Sequence, residues 1–379
     1  MKPSLTFYTN IVSPYQLDFF SELANYFSLK VVFFSKSEND RSWNLSTDKA
    51  SYEVVFLRTN KFVRVIQKLM PSFHFSYDIL SVSYNDKSKY VVLGGNYFIP
   101  NTLIALLMLS IRKKDIYWFG ERVFPSGIFK SGVKKILLMP IMVLTKGIMA
   151  VGQDGINSYR NYGYNKPCYN IPYNIDYGKF EENQIDQVLL NGLRKKFNPS
   201  NKLIVLTSGS LIKRKGMDTA IESFKNISKS NKLAAELWIL GDGELRADLE
   251  LLASDNSNIK FLGFLQPTEL HFIFILSDIF LFCSRYDGWG VVINEALSAG
   301  LPVITSQEAS SCELVIKGNA GFVHQSDNVN QFTTSLNILL SDVDLRKKLS
   351  VNAKTIAKKW SSAAMAQKVS EILKGQKCN

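Results

Sequence analysis

The amino-acid sequence predicts an α/β protein with two doubly wound parallel sheets that face a cleft. Three observations predict it. Short apolar runs alternate with helical patterns along both halves of the chain, which is the rhythm of β-α-β units. A polar stretch at residues 177–201 separates the two alternations. The 379 residues are 46% hydrophobic, which is enough for two cores and excludes a small module or a disordered chain.

The first alternation gives the elements of an N-terminal domain, placed at residues 1–178. The predicted strands are 5–8, 29–34, 90–93 and 116–119, and the predicted helices are 16–26 and 102–110. Residues 91–111 carry no charge over 21 positions. Gly94, Gly95 and Pro100 interrupt this stretch, so we expect a buried strand, a turn and a helix rather than a membrane span.

The second alternation is more regular and is placed at residues 179–355. Its predicted strands are 203–208, 236–240, 259–262, 279–282 and 303–306, and its predicted helices are 217–227, 245–253, 268–276 and 291–299, followed by a helical tail over 329–373. Ligands of open α/β sheets bind outside the carboxyl ends of the strands. We therefore expect the binding residues in the loops that follow these strands.

The formal charge of +12 is concentrated in the first domain. Residues 1–178 hold 21 Lys and Arg against 12 Asp and Glu (+9), whereas residues 179–379 hold 24 against 21 (+3). A basic surface attracts phosphorylated ligands, anionic lipids or nucleic acid, but the charges are dispersed and match no nucleic-acid motif, so nucleic acid is disfavoured. The four cysteines form no C-x-x-C pair, which predicts neither a zinc site nor a disulfide framework, and no signal peptide is evident. A cytoplasmic protein is expected.

The most informative segment is 284–296, Ser-Arg-Tyr-Asp-Gly-Trp-Gly-Val-Val-Ile-Asn-Glu-Ala. It follows an apolar strand, and a helix is predicted to begin at Gly290 or Val291, so its free amide groups and positive end form an anion site. Asp287 lies in the loop, and Glu295 about one turn inside the helix. If a diphosphate bound at the helix start, Glu295 would be within reach of ribose hydroxyls, and Asp287 would lie near the group attached to the diphosphate.

This segment resembles the E-x7-E signature of retaining GT-B glycosyltransferases of family GT4, with Asp287 in place of the first Glu. Segments 209–216, 241–245, 261–264 and 299–304 are similar to the same family in order and spacing, so the resemblance covers about residues 202–360. It implies two Rossmann-like domains of a GT-B fold and a C-terminal helix, residues 356–379, that returns to the first domain. It also implies a nucleoside diphosphate sugar as donor, no metal and no other cofactor, and a catalytic role for Asp287.

The resemblance further implies that a basic turn clamps the donor diphosphate. Gly209 and Lys215 match the family's glycine and lysine, but Ser210 stands where the family has an arginine, so we expect Arg214 to supply that charge. Fixed cations would stabilise the charge that grows on a leaving diphosphate. A solvated basic turn is the alternative.

The first domain resembles the family more weakly. Asn10, Ser13 and Tyr15 lie between the first strand and the first helix, and are predicted on the acceptor side. Segment 41–43, Arg-Ser-Trp, is similar to a segment of bacterial cell-surface polysaccharide transferases. Glu121 ends a strand where many relatives carry a histidine, and no histidine is present there, so Glu121 is the candidate catalytic group. An ordinary strand-end acid is the alternative.

Three further patterns are assigned structural roles. The turn Gly241-Asp242-Gly243 lacks the third glycine of a dinucleotide fingerprint. Asp342-Val343-Asp344 has the D-x-D form of metal-using transferases but lies between tail helices, where a helix cap is expected. His271 lies on an apolar helix and is expected to be packed.

Basic residues flank apolar helices of the first domain. They are Lys61, Arg64 and Lys68, then Arg112, Lys113 and Lys114, then Lys130, Lys134 and Lys135. Such a helix lies either in a membrane interface or in the core with a solvated edge.

The resemblance, together with these features, implies a retaining glycosyltransferase of the bacterial cell-surface polysaccharide type, as in O-antigen or capsule synthesis. It would transfer a sugar from a nucleoside diphosphate donor to a lipid-linked or surface-glycan acceptor, as a peripheral enzyme on the inner face of the plasma membrane. Two alternatives stay open: a GT-B nucleotide-sugar 2-epimerase, and a non-catalytic sugar- or lipid-binding subunit.

Overall fold

The computed structural model describes residues 1–35, 50–58, 61–67, 73–124, 127–181, 186–198, 201–230, 235–265 and 267–376. The chain divides into two compact units. The first comprises Met1–Asn174 and Ser362–Asn379, and the second comprises Ile175–Ser361. Segment 41–43 and Lys68 lie outside the described residues.

The first unit is an α/β unit with one parallel sheet. Its strands are β1 (Ser4–Thr9), β2 (Ser28–Phe33), β3 (Glu53–Phe56), β4 (Tyr90–Gly94), β5 (Ile116–Gly120), β6 (Gly147–Ala150) and β7 (Cys168–Asn170). Its N-terminal helices are α1 (Pro14–Leu23), α2 (Lys61–Gln67), α3 (Asp78–Tyr84), α4 (Pro100–Ile111), α5 (Ile128–Leu144) and α6 (Gly152–Asn161). Among the described residues, the seven strands pair in the order β3-β2-β1-β4-β5-β6-β7. This is a doubly wound order, because the chain runs outward from β1 on one side and from β4 on the other.

The central strands of this sheet are apolar because helices cover both faces. Val91, Val92 and Leu93 in β4 are completely buried. The uncharged stretch 91–111 is β4, a turn and α4, as predicted. Among the described residues, no helix combines the length and the apolar character needed to cross a membrane. Helix α1 begins at Pro14, two residues before the predicted start, because proline fits the first turn, where amide groups lack intrahelical partners.

The second unit repeats this architecture. Its strands are β8 (Leu203–Ser208), β9 (Ala235–Leu240), β10 (Ile259–Gly263), β11 (Ile279–Phe282), β12 (Val303–Ser306) and β13 (Gly321–His324). Its helices are α7 (Gln187–Phe197), α8 (Met217–Ser230), α9 (Arg246–Ala253), α10 (Pro267–Leu276), α11 (Val291–Ser298), α12 (Cys312–Gly318), α13 (Val329–Ser341) and α14 (Val343–Lys359). The described strands form one parallel sheet in the order β10-β9-β8-β11-β12-β13. The predicted fold class, two doubly wound α/β units, is therefore confirmed.

The polar stretch 177–201 is not an unstructured connection between the units. It contains a 3₁₀ turn, Tyr177–Phe180, and helix α7, both within the second unit. The Asp186 side chain caps α7 by accepting a hydrogen bond from the Leu189 amide at 3.0 Å. The last turn of the helix is basic, which suits the negative end of the helix dipole. The chain leaves the first unit at residue 174, a few residues before the expected boundary at 178.

The C-terminal helix, α15 (Ser362–Lys374), belongs to the first unit. It packs on α1, and the Lys374 ammonium lies 5.3 Å from the centre of the Phe27 ring. Lys368 Nζ donates to the Asn170 carbonyl oxygen at 3.2 Å. Residue 356 is too early a start for this segment, because α14 runs to Lys359 and packs on α11 and α12 in the second unit.

The three patterns given structural roles are structural. Gly241 has φ 136°, and its backbone packs directly against the Gly209 carbonyl, an approach that a Cβ would block. Asp342 Oδ1 caps α14 by accepting from the Leu345 amide at 2.8 Å. The His271 ring packs 4.0 Å from the Phe272 ring centre, as expected for a packed histidine.

Candidate active site

The basic turn and the acidic loop of the second unit meet at one carboxylate. The 3₁₀ turn Lys213–Lys215 follows β8, and the loop that carries Asp287 follows the neighbouring strand β11. Lys215 Nζ donates to Asp287 Oδ2, and Arg214 Nη1 lies 3.7 Å from the same oxygen. Because adjacent parallel strands end at the same edge of the sheet, residues about seventy apart in sequence form one charged cluster.

Lys215 is held in place along its whole length. Gly209 has φ 151°, and the Lys215 side chain crosses it, with Cδ at 3.6 Å from the position that a Cβ would take. The ammonium lies 5.3 Å from the centre of the Phe282 ring. The side chains of Lys215 and Asp287 are 12% and 14% exposed, whereas that of Arg214 is 47% exposed. Lys215 is therefore the preorganised cation, and Arg214 the more exposed one.

Asp287 is fixed by its backbone and its own side chain. It forms a parallel bridge with Ala309, and its amide donates to the Glu308 carbonyl oxygen at 3.2 Å. Oδ1 accepts from the Trp289 amide at 3.3 Å. The carboxylate thus lies between the two cations and the start of the next helix.

Helix α11 begins where the sequence predicted an anion site. Gly290 is its N-cap residue with φ 90°, and a Cβ there would lie 2.9 Å from Ser311 Oγ. The first amides of a helix starting at Val291 point out of its N-terminus and carry partial positive charge. Glu295 is one turn further on, and side chains of a helix are tilted towards its N-terminus, so Glu295 and the helix start share one face. Ser210 is exposed, beside Gly209.

The predicted residues of the first unit line one cavity. It has a volume of about 370 Å³, and its wall includes Asn10, Ser13, Tyr15 and Glu121. Asn10 Oδ1 is buried and has no hydrogen-bond partner among the described residues. Ser13 Oγ donates to Gln16 Oε1 at 3.0 Å, so that hydroxyl also orders the start of α1.

Glu121 follows β5 directly and faces an aromatic wall. Tyr173 Oη donates to Glu121 Oε1 at 2.6 Å. The Tyr173 ring centre lies 4.9 Å from that of Tyr15 and 5.9 Å from that of Phe119. A carboxylate beside tilted aromatic rings can hold a sugar, whose hydroxyls bond to the acid while its C–H faces lie on the rings.

Sequence reasoning missed most of the residues that line this cavity, including Tyr97, Arg122 and Tyr173. Tyr173 follows β7, Tyr97 follows β4, and Arg122 lies two residues beyond the end of β5. All three lie just past the carboxyl ends of parallel strands, which is a usable sequence signal once the strands are known. Strand β7 has three residues and was not predicted, so Tyr173 had no strand to follow.

Histidines and metal ligands do not gather at either site within the described parts of the chain. There, no three His, Cys, Asp or Glu side chains come together to hold a metal ion. His74 is buried beside Gln67 Nε2 at 3.2 Å, and His324 lies 2.7 Å from Ser335 Oγ, with its pKa lowered by burial. Neither lines the cavity.

Parts of this chain are similar to known proteins. Residues 192–356 match the family described as glycosyl transferases group 1. An uncharacterized glycosyltransferase of Methanocaldococcus jannaschii is 28% identical over 63% of this chain and 69% of its own length. A lipopolysaccharide core biosynthesis glycosyltransferase of Rhizobium meliloti is 25% identical over 46% of this chain and 51% of its own length. Further curated relatives are matched over 44% to 58% of their length.

A solved structure extends the similarity of fold to nearly the whole chain. Anabaena HepE, crystallised with UDP, has a TM-score of 0.79 at 14% identity, with 98% of this chain and all of that chain covered. The same protein was also crystallised with UDP-glucose.

The two Rossmann-like units have the GT-B fold of these solved structures. Residues 192–356 match the group 1 glycosyltransferase family, and this match together with the named relatives indicates a transferase enzyme.

Proposed function

We propose that this protein is a retaining glycosyltransferase that takes a sugar from a nucleoside diphosphate donor. The observation that carries the proposal is the convergence of Lys215 and Arg214 on Asp287, next to the start of α11. Two cations beside a helix N-terminus suit a diphosphate. The cations and the helix N-terminus both stabilise the negative charge that develops on the diphosphate as the bond between C1 of the sugar and the phosphate oxygen breaks. Asp287 would then contact the sugar, and Glu295 the ribose.

The first unit is proposed to bind the acceptor. The cavity offers the buried side-chain oxygen Oδ1 of Asn10, the Glu121 carboxylate and the aromatic wall of Tyr15 and Tyr173. We assign Glu121 to assist the acceptor hydroxyl, which forms the new bond to C1 and loses its proton. A relative named for lipopolysaccharide core biosynthesis favours a surface glycan or its lipid-linked precursor as acceptor. The 2-epimerase alternative is disfavoured because no histidine lines this cavity among the described residues.

The test is a panel of nucleotides and nucleotide sugars, starting with UDP and UDP-glucose, because HepE was crystallised with both. Thermal unfolding is followed with each compound, since a ligand at one hundred times its Kd adds about 2.7 kcal/mol to the free energy of unfolding. We expect a nucleoside diphosphate to stabilise the protein more than the matching monophosphate. Equal or absent stabilisation across the whole panel would overturn the proposal.

A second proposal is that donor chemistry needs no metal. Lys215, Arg214 and the helix start supply the positive charge that a divalent ion supplies in metal-using transferases. We expect sugar transfer to retain most of its rate in excess EDTA. Loss of transfer that Mn²⁺ or Mg²⁺ restores would contradict this.

We also propose that the first unit binds an anionic membrane, at the inner face of the plasma membrane. Helix α5 buries Leu138 and Ile141 but exposes Ile136, Met139 and Val143, at 70%, 58% and 63%. The neighbouring helix α4 exposes Leu107 and Ile111, at 52% and 58%. We call the exposed apolar side chains of these two packed helices the apolar patch.

Exposed cations lie next to the apolar patch. Lys130 and Lys135 are exposed on α5, and Arg112 and Lys113 follow α4. Each basic residue near an anionic bilayer contributes about 1 kcal/mol, and apolar side chains insert below the headgroups. The charge complements anionic lipid, which is why we assign a membrane rather than a second protein to the patch.

We expect co-sedimentation with vesicles of phosphatidylglycerol to exceed that with neutral vesicles, and to decrease as salt rises. The test variant is Lys130→Glu with Lys135→Glu, and the control is Lys347→Glu with Lys348→Glu, an equal charge change on exposed α14. Only the first pair should abolish binding. Equal loss of vesicle binding in both variants would indicate that only the net charge of the protein matters. No binding of the wild type to vesicles at low salt would rule out docking on the membrane.

A further inference from the structure

Arg285, two residues before Asp287, joins three segments of the second unit. Its Nη1 and Nη2 donate to Asp218 Oδ1 and Oδ2 at 2.9 and 2.8 Å, a bidentate pair at the start of α8. Its Nε donates to Asp327 Oδ1 at 2.7 Å, in the connection between β13 and α13. Its Nη1 also donates to the Lys213 carbonyl oxygen at 2.6 Å.

The backbone around Arg285 holds the basic turn against the acidic loop. The Arg285 amide donates to the Arg214 carbonyl oxygen at 2.8 Å, and Ser284 Oγ donates to the same oxygen at 3.1 Å. Arg214 Nη1 in turn donates to the Tyr286 carbonyl oxygen at 3.2 Å. The guanidinium of Arg285 thus fixes the first residue of a turn whose last residue is Lys215.

The charge of Arg285 is already compensated by its neighbours. Hydrogen bonds to Asp218, and then to Asp327, raise the pKa of Arg285, so it is always charged. Burial alone would raise the pKa of Asp218, but the hydrogen bonds and charge of Arg285 outweigh it and hold this pKa below its usual value. With two carboxylates beside it, Arg285 has little net charge to offer a phosphate.

We propose that Arg285 is a positioning residue for the diphosphate clamp: it holds the turn Lys213–Lys215 where Lys215 and Arg214 can reach the donor phosphates. The inference rests on the proposed function, because it needs a diphosphate at this site. It assigns Arg285 no contact with the donor. Its effect on the donor passes through Lys215 and Arg214.

The test compares affinities for a nucleoside diphosphate and the matching monophosphate, with the nucleotide that stabilises the wild type best. The variant Arg285→Gln should lower the preference for the diphosphate at least tenfold and leave monophosphate affinity within about twofold, because the clamp acts on the second phosphate. A general loss of structure would lower the affinities for the diphosphate and the monophosphate to the same extent. Arg346→Gln is the matched control, because it removes a partly buried guanidinium that donates to the Leu339 and Leu340 carbonyl oxygens.

A double variant guards against misfolding. Removal of Arg285 leaves Asp218 without its main partner, so Arg285→Gln with Asp218→Asn should recover thermal stability but not the preference for the diphosphate. Recovery of both would assign Arg285 to stability alone and overturn the inference. An unchanged preference in Arg285→Gln would also overturn it while leaving the proposed function intact, because the wild-type preference for the diphosphate tests that function separately.

Discussion

Lys215→Ala should lower turnover by about 100- to 1,000-fold, the loss typical of removing one preorganised group that stabilises transition-state charge. Lys215 is the cation held in place by Gly209, Phe282 and Asp287 at once. Its charge acts most strongly when the leaving diphosphate carries most charge, so kcat should fall more than donor affinity. Steady-state kinetics with the identified donor would measure both.

The same turn provides the control for this variant. Lys213→Ala changes the charge equally at an exposed side chain, and should leave kcat within about threefold. If Lys213→Ala and Lys215→Ala lose activity equally, only the net charge of the turn matters, and Lys215 has no special role. Arg214→Ala should give a smaller loss than Lys215→Ala, since Arg214 is more exposed. If Arg214→Ala leaves activity unchanged while Ser210→Arg raises it, Arg214 does not replace the missing arginine.

The fold was most predictable where the sheet is buried on both faces. Strands β8, β11 and β12 have their predicted bounds, because central parallel strands are short, continuous apolar runs that end at Gly, Ser or Cys. The prediction missed the edge strands β3, β7 and β13, which have three or four residues, and also the short internal strand β6, because tertiary pairing rather than composition defines runs of this length. It also left α5 undefined, although the helix continues through Pro140 because Leu138 and Ile141 pack in the core.

The site was predictable as far as its residues share a local motif. Asp287, Gly290 and Glu295 lie within nine residues of sequence, so their spacing alone places them around one helix start. Arg285 gave no such signal, because its partners Asp218 and Asp327 are 67 and 42 residues away. Contacts that depend on which loops become neighbours follow from sheet order, and sheet order is a property of the whole fold.

The charge cluster also explains why a shorter acid at position 287 is compatible with this site. With Lys215 and Arg214 both on Oδ2, the carboxylate balances the two cations while no phosphate is present. A bound diphosphate would take over these cations and release Asp287 towards the sugar. On the proposed function, Asp287 and the donor phosphates would compete for the same partners, and donor affinity would be the difference between two charged arrangements.

Glu295→Gln should weaken nucleoside diphosphate binding by about 10- to 150-fold, because charge-assisted hydrogen bonds to ribose hydroxyls are worth about 1.5 to 3 kcal/mol. Glu295 lies on α11 one turn after Val291, and helix side chains lean towards the N-terminus, which is where the diphosphate would lie. Isothermal titration with the donor nucleotide and its 2′,3′-dideoxy analogue measures the effect. The wild type should prefer the ribose form, and Glu295→Gln should bind both forms equally. The exposed Glu222→Gln on α8 removes the same charge and should keep the wild-type preference. A preference that survives in well-folded Glu295→Gln would assign ribose recognition to another residue and remove Glu295 from the donor site.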